Sequence, residues 1–456
     1  MPYVQNTDAD RRAMLAEIGV RAMDDLFEPI PAALRLREPL PLDPGMTETD
    51  LIAHLGRIGS WNRPAGGRPC FLGGGVYDHD WPSLVDHLQG RSEFLTAYTP
   101  YQPECSQGTL QWIFEFQSMI AEICGMDNAN ASMYDGASAC AEAALLALAA
   151  TGRKKVVVSA GLHPHSMAVI RTYLEHQGSA IVEAPLRDGV TDWGDLVDAG
   201  TAAVLVQQPN FLGLVEDLDA PAAAAHAVEA LAVASIYPVA MGLLRSPGAA
   251  GFDVVVGDGQ SLGVPMGLGG PSFGFFASRD KFVRRLPGRL VGASVDRRGR
   301  RAYTLTFQTR EQHIRREKAT SNICTNNALI ALRGCLHMAA LGPQGLEEVA
   351  CLSRQRALEM TAQLTAGDAI QEAFPGQPWF NEVPLRLSGG EIAVLKLKTA
   401  LAKAGIAGVL PMSRFYPGDP AMKGVFTLAC TERTTPESIR QLASVAADTF
   451  RMEMAL

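Results

Sequence analysis

The sequence predicts an α/β protein: a large domain with a mostly parallel sheet covered by helices on both faces, then a smaller α+β domain. Two observations carry this. Short apolar runs recur between helical stretches: Val156-Val157-Val158-Ser159, Ala180-Ile181-Val182, Ala203-Val204-Leu205-Val206, Ala232-Val233-Ala234-Ser235-Ile236 and Asp253-Val254-Val255-Val256. None alternates apolar with polar residues, so both faces of each strand are expected to be covered. The second observation is length: 456 residues are too many for one simple core.

The elements follow in order. Residues 1–65 read as helical pieces broken by Pro29, Pro31, Pro39, Pro41 and Pro44, an N-terminal arm of the kind that wraps a partner subunit. The large domain is expected over residues 66–326. Its first long helix spans 106–125, with Leu110, Ile113, Phe116, Ile120 and Ile123 at helical spacing and Gly125 as the stop. A second, alanine-rich helix opens at Asp135-Gly136-Ala137-Ser138 and runs to Ala150. Ser272-Phe273-Gly274-Phe275-Phe276-Ala277 closes the strand series and is a candidate antiparallel member. A long helical stretch from Asn326 to about Leu364 leads into a smaller α+β domain, the third region spanning residues 327–456. There Val425-Phe426-Thr427-Leu428-Ala429 reads as a strand and Thr435-Pro436-Glu437 as a capped helix start.

Composition narrows the function. Hydrophobic residues make up 47% and charged ones 19%, the balance of a globular protein. A net charge of −8 and a pI near 5.7 argue against a nucleic-acid partner. No apolar run reaches the roughly 20 residues of a membrane span. The opening residues have neither a basic flank nor an apolar core, so a cytoplasmic location and no membrane partner are expected. The eight cysteines form no CxxC pair and read as reduced core thiols.

Several segments could carry chemistry. The small residues at Asp135-Gly136-Ala137-Ser138-Ala139 open a helix whose free N–H groups would cradle an anion, or pack tightly on the sheet. His163-Pro164-His165 offers a ring to stack on a flat cofactor, or a structural histidine; no Cys/His/Asp cluster accompanies it to suggest a metal. Gly267-Leu268-Gly269-Gly270-Pro271 is a glycine-rich turn, but it is neither a dinucleotide fingerprint nor a Walker loop. The most distinctive segment, 308–325, is dense in charge: Gln308-Thr309-Arg310-Glu311-Gln312-His313-Ile314-Arg315-Arg316-Glu317-Lys318, then Ser321, Asn322 and Thr325. It is either a solvated basic face or one that needs partners across an interface.

A self-sufficient pyridoxal-phosphate enzyme needs a Schiff-base lysine and an acid facing the pyridine nitrogen. The lysine usually follows a late strand, here 253–256, and the acid comes from the strand before it. No lysine lies between Lys155 and Lys281, and no acid between Glu229 and Asp253. The lysine slot holds Gly257-Asp258-Gly259-Gln260-Ser261, and the strand expected to carry the acid ends in Ile236-Tyr237.

These residues resemble a known family over nearly the whole chain. Tyr98-Thr99-Pro100-Tyr101-Gln102-Pro103-Glu104 with Ser106-Gln107-Gly108, Gln207-Gln208-Pro209-Asn210 with Glu216-Asp217, Gly259-Gln260-Ser261 with Gly269-Gly270-Pro271, and segment 308–325 are similar to the glycine cleavage system P-protein, in its first-subunit form. The resemblance implies the fold of a pyridoxal-phosphate-dependent transferase of aspartate-aminotransferase type (fold type I). It also implies subunit 1 of an enzyme that decarboxylates glycine on pyridoxal phosphate and passes the aminomethyl group to the lipoyl arm of H-protein. The cofactor would be bound covalently by subunit 2 and not by this chain, in a heterotetramer of two subunits 1 and two subunits 2. This chain would then hold no catalytic, cofactor-binding or metal residues of its own. Tyr98, Tyr101, Glu104, Arg310, His313, Arg316, Lys318 and Asn322 would line the interface or the partner's active site. Tyr237 departs from the acid common near that position. Two other readings stay open: an independent aminotransferase-like enzyme using Lys318, and a purely structural scaffold.

Overall fold

The structure, a computed structural model, describes residues 5–451 apart from 37, 320 and 324. Thr320 and Cys324 of the charged segment, and the first four residues of the chain, therefore lie outside the described residues. The chain divides into two compact units, residues 1–63 and residues 64–456.

The first unit is built from local signals. Helix α1 (Asp8–Ile18) starts at a capping box in which Thr7 and Asp10 satisfy each other's backbone N–H groups, and it stops at Gly19 in the left-handed region. Helix α2 (Glu48–Gly59) is capped by Thr47. Neither helix has a buried residue. Leu51, Ile52, Leu55 and Ile58 recur at helical spacing on α2 and are all exposed.

The second unit holds a seven-stranded sheet. In chain order its strands are β1 (Asn128–Ala129), β2 (Lys155–Ser159), β3 (Ala180–Ala184), β4 (Thr201–Gln208), β5 (Leu231–Ile236), β6 (Val254–Asp258) and β7 (Gly274–Ser278). Their spatial order is β1-β7-β6-β5-β4-β2-β3. β3, β2, β4, β5 and β6 run parallel; β7 is antiparallel to β6, as the sequence suggested for it. Every residue of β5 and β7 is buried, which explains their unbroken apolar composition.

Two apolar layers sandwich the sheet. On one face α3 (Gln107–Cys124) packs Leu110, Ile113, Phe116 and Ile120 against Val204, Ala232, Val255 and Phe275. On the other, α4 (Gly136–Thr151) packs Ala139, Ala143 and Leu146 against Val156, Leu205 and Val254. Alternate residues of each strand thus face opposite layers. Each fully buried valine or leucine contributes about 1.5–3 kcal/mol of transfer free energy.

Helix α5 (Ala328–Leu364) follows the charged segment. The sequence reads as one uninterrupted helical stretch here, but the helix breaks at Gly342, whose φ is +64°. Pro343 supplies no N–H to continue the ladder, and only glycine takes that backbone angle without strain. Beyond it, a four-stranded antiparallel sheet pairs β8 (Ile370–Glu372), β9 (Glu382–Leu387), β10 (Leu410–Pro411) and β11 (Val425–Ala429) in the order β8-β9-β11-β10. The last helix, α6 (Pro436–Arg451), starts where Thr435 accepts the Ser438 N–H.

The expectation that the cysteines are core thiols holds for Cys124, Cys140, Cys335 and Cys430, all buried. It fails for Cys105 and Cys351, which are exposed: one sits in the loop before α3 and the other on the outer side of α5.

Candidate functional site

The parallel strands end at one edge, and there the loops after β4, β5 and β6 meet the start of α4. This is where α/β sheets bind ligands. A cavity of about 520 Å³ occupies the place, lined among others by Tyr77, Asp135, His163, Tyr237, Asp258, Gln260 and Glu382.

Gln260 stands at the slot where a Schiff-base lysine is expected, and it is buried. Its side-chain carbonyl accepts the Tyr77 N–H at 2.9 Å, while its amide donates to the carbonyls of Tyr77 at 2.9 Å and Val264 at 2.8 Å. The amide acts as a staple that ties the extended segment around Tyr77 to the loop after β6.

Tyr237, at the end of β5, stacks on Tyr77 with ring centroids 4.5 Å apart. Its hydroxyl meets His79 Nε2, and His79 Nδ1 lies 2.7 Å from Glu432. The Tyr77 hydroxyl donates to Glu382 at 2.8 Å; Glu382 also accepts from Thr427 at 2.6 Å and from the Gly74 N–H at 3.0 Å. Burial pushes both tyrosine hydroxyls well above their ordinary range and raises the Glu382 carboxyl too. The two chains of contacts connect segment 74–79 to residues of the small antiparallel sheet and the turn after it.

His163 caps its helix with Nδ1, which accepts the His165 N–H at 3.1 Å; Nε2 lies 3.0 Å from the Gly74 carbonyl. Nδ1 is thus the acceptor and Nε2–H the donor, the neutral tautomer. Burial pulls its pKa down to about 4, which agrees.

At the entry to α4, Asp135 accepts the Ser138 N–H at 2.7 Å. The Gly136 N–H donates to Asp258 at 3.0 Å. A Cβ on Gly136 would lie 2.8 Å from the Asp258 nitrogen, so only glycine lets the helix end come this close. Of the two readings offered for this turn, tight packing prevails, with carboxylates as the partners of its N–H groups.

These residues do not fit pyridoxal phosphate. Among the described residues the lining contains Asp135, Asp258 and Glu382 but neither lysine nor arginine. Position 260 cannot form an imine, Tyr237 offers no acid to a pyridine nitrogen, and carboxylates already engage the helix N–H groups that would meet a phosphate. Lys318 is exposed and is not part of the lining.

The residues expected to serve an interface gather elsewhere in part. Tyr101 is half exposed; its hydroxyl accepts from Arg289 at 3.1 Å, and its ring lies edge-on to His313 at 6.3 Å. His313 Nδ1 lies 3.5 Å from Glu311. Arg310 donates to the Leu286 carbonyl and is partly buried, which lowers its pKa. Tyr98, 82% exposed, lines a second cavity of about 400 Å³ together with Arg289, Asn326 and Asn327. Glu104, Arg316, Lys318 and Asn322 are exposed. Buried nitrogens of Arg289 and Arg310 and an oxygen of Glu311 find no partner among the described residues.

Sequence reading missed Arg289, an isolated residue before a two-stranded antiparallel hairpin, Leu290–Val295 paired with Arg301–Thr306. It also missed Asn327, which bridges the two cavities by donating to the carbonyls of Tyr134 and Ser272 at 2.8 and 2.7 Å. Tyr77, His79, Glu382 and Glu432 had no local signature. Only the asparagine pair at the head of the long helix offered a clue.

Comparison with known proteins follows this geometry. The family model described as "Glycine cleavage system P-protein" matches residues 1–446. The chain is 48% identical over 446 residues to a probable glycine dehydrogenase (decarboxylating) subunit 1 of Geotalea uraniireducens (strain Rf4), covering 97% of this chain and 98% of that protein. It is 50% identical over 448 residues to the protein of the same description from Anaeromyxobacter sp. (strain Fw109-5), covering 97% and 99%. A crystal structure of glycine decarboxylase (P-protein) of the glycine cleavage system, in inhibitor-bound form, superposes with a TM-score of 0.90 at 46% identity, covering 99% of this chain and all of that one. Sphingosine-1-phosphate lyase of Burkholderia pseudomallei K96243 (TM-score 0.65, 17% identity, 93% and 95% covered) shares the fold.

Proposed function

The chain belongs to the P-protein family of the glycine cleavage system, and from that premise we propose that it is the subunit 1 partner that completes a glycine-decarboxylating active site carried by a second subunit. Glycine dehydrogenase (decarboxylating) is the activity in which it takes part. The observation that carries the division of labour is Gln260, bound into a staple at the slot where the cofactor lysine would stand. Pyridoxal phosphate, held covalently by the second subunit, supplies the chemistry that takes up the electrons of the departing carboxylate.

This chain's share is positional. The exposed Tyr98, Tyr101, Glu104, His313, Arg316, Lys318 and Asn322, with the partly buried Arg310, support a face that orders the partner's site and excludes water from it. The exposed apolar stripe of α2 supports an arm that packs on the partner. The assembled enzyme is a heterotetramer of two copies of each subunit, located in the cytoplasm, and it hands the aminomethyl group to the lipoyl arm of H-protein. The scaffold reading differs only in denying the polar face a role in the partner's site.

Co-expression with a second subunit and size-exclusion chromatography test the reading. A 1:1 complex is the expected result; two separate species would overturn it. Arg316→Ala and Asn322→Ala then separate the lining role from the scaffold. The lining role predicts intact assembly with glycine decarboxylation slowed by roughly tenfold or more, as for a lost electrostatic contact. Unchanged turnover would favour the scaffold.

A further inference from the structure

We propose that Asp258 excludes phosphorylated ligands from the large cavity, so that placing a lysine at position 260 would not by itself let this chain carry pyridoxal phosphate. This goes beyond the role of the chain in its complex and does not depend on the partner.

Asp258 is the last residue of β6. Asp258 is held as an acceptor by three donors: the Gly136 N–H at 3.0 Å, the Gln260 N–H at 2.9 Å and the Ser272 hydroxyl. The first belongs to α4, whose N-terminal end is the feature that would otherwise attract a phosphate. A side-chain carboxylate has taken the anion's place.

The surroundings reinforce the exclusion. Asp135 caps the same helix end and Glu382 also lines the cavity, while among the described residues no lysine or arginine does. A phosphate group entering here would meet three carboxyl groups, Asp135, Asp258 and Glu382, and would have to displace Asp258 from its donors. Repulsion between like charges a few ångström apart, partly shielded from water, reduces binding by tenfold or more on the order of the Coulomb estimate. Burial raises the Asp258 carboxyl above its ordinary value, with Asp135 adding to the effect.

The loss of cofactor binding is therefore written twice in this chain, once at Gln260 and once at Asp258. A single reversion at position 260 cannot divert the cofactor from the partner subunit.

The test uses the full-length chain as wild type, Q260K, D258N and the double variant. Each is incubated with pyridoxal phosphate or with phosphate-free pyridoxal and reduced with borohydride. The adduct at position 260 is then measured by peptide mass spectrometry. Reduction converts the imine to a secondary amine, with borohydride supplying the hydride and water leaving when the imine forms. The ratio of phosphorylated to phosphate-free adduct is expected to rise roughly tenfold or more from Q260K to the double variant. An equal ratio in both would overturn the proposal. Should the lysine variants fail to fold in a thermal melt, calorimetry with pyridoxal phosphate on D258N decides the question. D258N is expected to bind it where the wild type does not, and no gain would reject the role of Asp258.

Discussion

Replacing Gln260 with leucine tests the staple that stands in the cofactor slot. The change keeps the side chain's size and removes its amide. It leaves the Tyr77 N–H, the Tyr77 carbonyl and the Val264 carbonyl without the partners they have at 2.8–2.9 Å. The Tyr77 carbonyl keeps the His79 N–H at 3.1 Å, so two buried backbone groups are stripped of their partners, at about 1–3 kcal/mol each and about 2–6 kcal/mol together. Burial of the leucine offsets about 1 kcal/mol of this. The expected net loss is about 1–5 kcal/mol. Guanidinium unfolding of the wild type and of Gln260→Leu, followed by far-ultraviolet circular dichroism, reads it as a lower midpoint at unchanged slope. A loss below about 1 kcal/mol, the range of an exposed substitution, would refute the claim that Gln260 ties the Tyr77 segment to the sheet.

Three other outcomes follow. Glu142 is 3% exposed, and burial raises its carboxyl to about 7 against a weaker opposing hydrogen bond from Ser321. The folded chain therefore holds a proton that the unfolded chain releases near 4.5, so this contribution is full below that pH and lost as pH rises through about 7. It amounts to on the order of 3 kcal/mol, and Glu142→Gln should flatten the stability–pH curve in that window; an unchanged slope would count against a buried, protonated Glu142. His163, with its pKa pulled down to about 4 by burial, should show no titration between pH 5.5 and 8 in nitrogen-15 NMR of its ring; a midpoint near the ordinary histidine value would place it in solvent instead. Deleting residues 1–63, a separate unit whose two α-helices bury no residue, should leave the melting temperature of the remainder within about 3 °C while weakening co-purification with the second subunit; a collapse of the remainder would show that the arm stabilises its own chain.

Much of the fold is legible in the sequence because its signals are local. The runs at Val156, Val204, Val233 and Val254 are apolar on both sides because both faces are covered, and they become β2, β4, β5 and β6. The segment from Asp135 reads as the opening of a helix and Thr435 as a helix cap, and both residues act as N-caps. The break at Gly342 was less legible, because one glycine–proline pair inside a long helical pattern does not announce a full interruption. The empty lysine slot is readable as a missing residue type. What fills the site is not, because its contacts are long-range: Tyr77 and Glu382 are 305 positions apart, and His79 and Glu432 are 353 apart. Tyr237 looks in the sequence like a lost acid. In the fold it is a half-buried link between Tyr77 and His79. Arg289 stands in no motif, and only the hairpin brings it to Tyr101.

The same contrast bears on the two exposed cysteines. Their neighbours in sequence are ordinary for a helix or its approach, and nothing local distinguishes Cys351 on the outer side of α5 from Cys335 on its inner side. The register of a long helix against its neighbours decides which side is covered, and that is a tertiary property.

The central claim is that this chain completes an active site whose cofactor belongs to another subunit. Release of labelled carbon dioxide from carboxyl-labelled glycine, in the presence of lipoylated H-protein, tests it most directly. The second subunit loaded with pyridoxal phosphate is assayed alone, this chain is assayed alone with the cofactor, and the two are assayed together. The account predicts release from the mixture and from neither part. Equal release by the second subunit alone, or release by this chain alone, would contradict it.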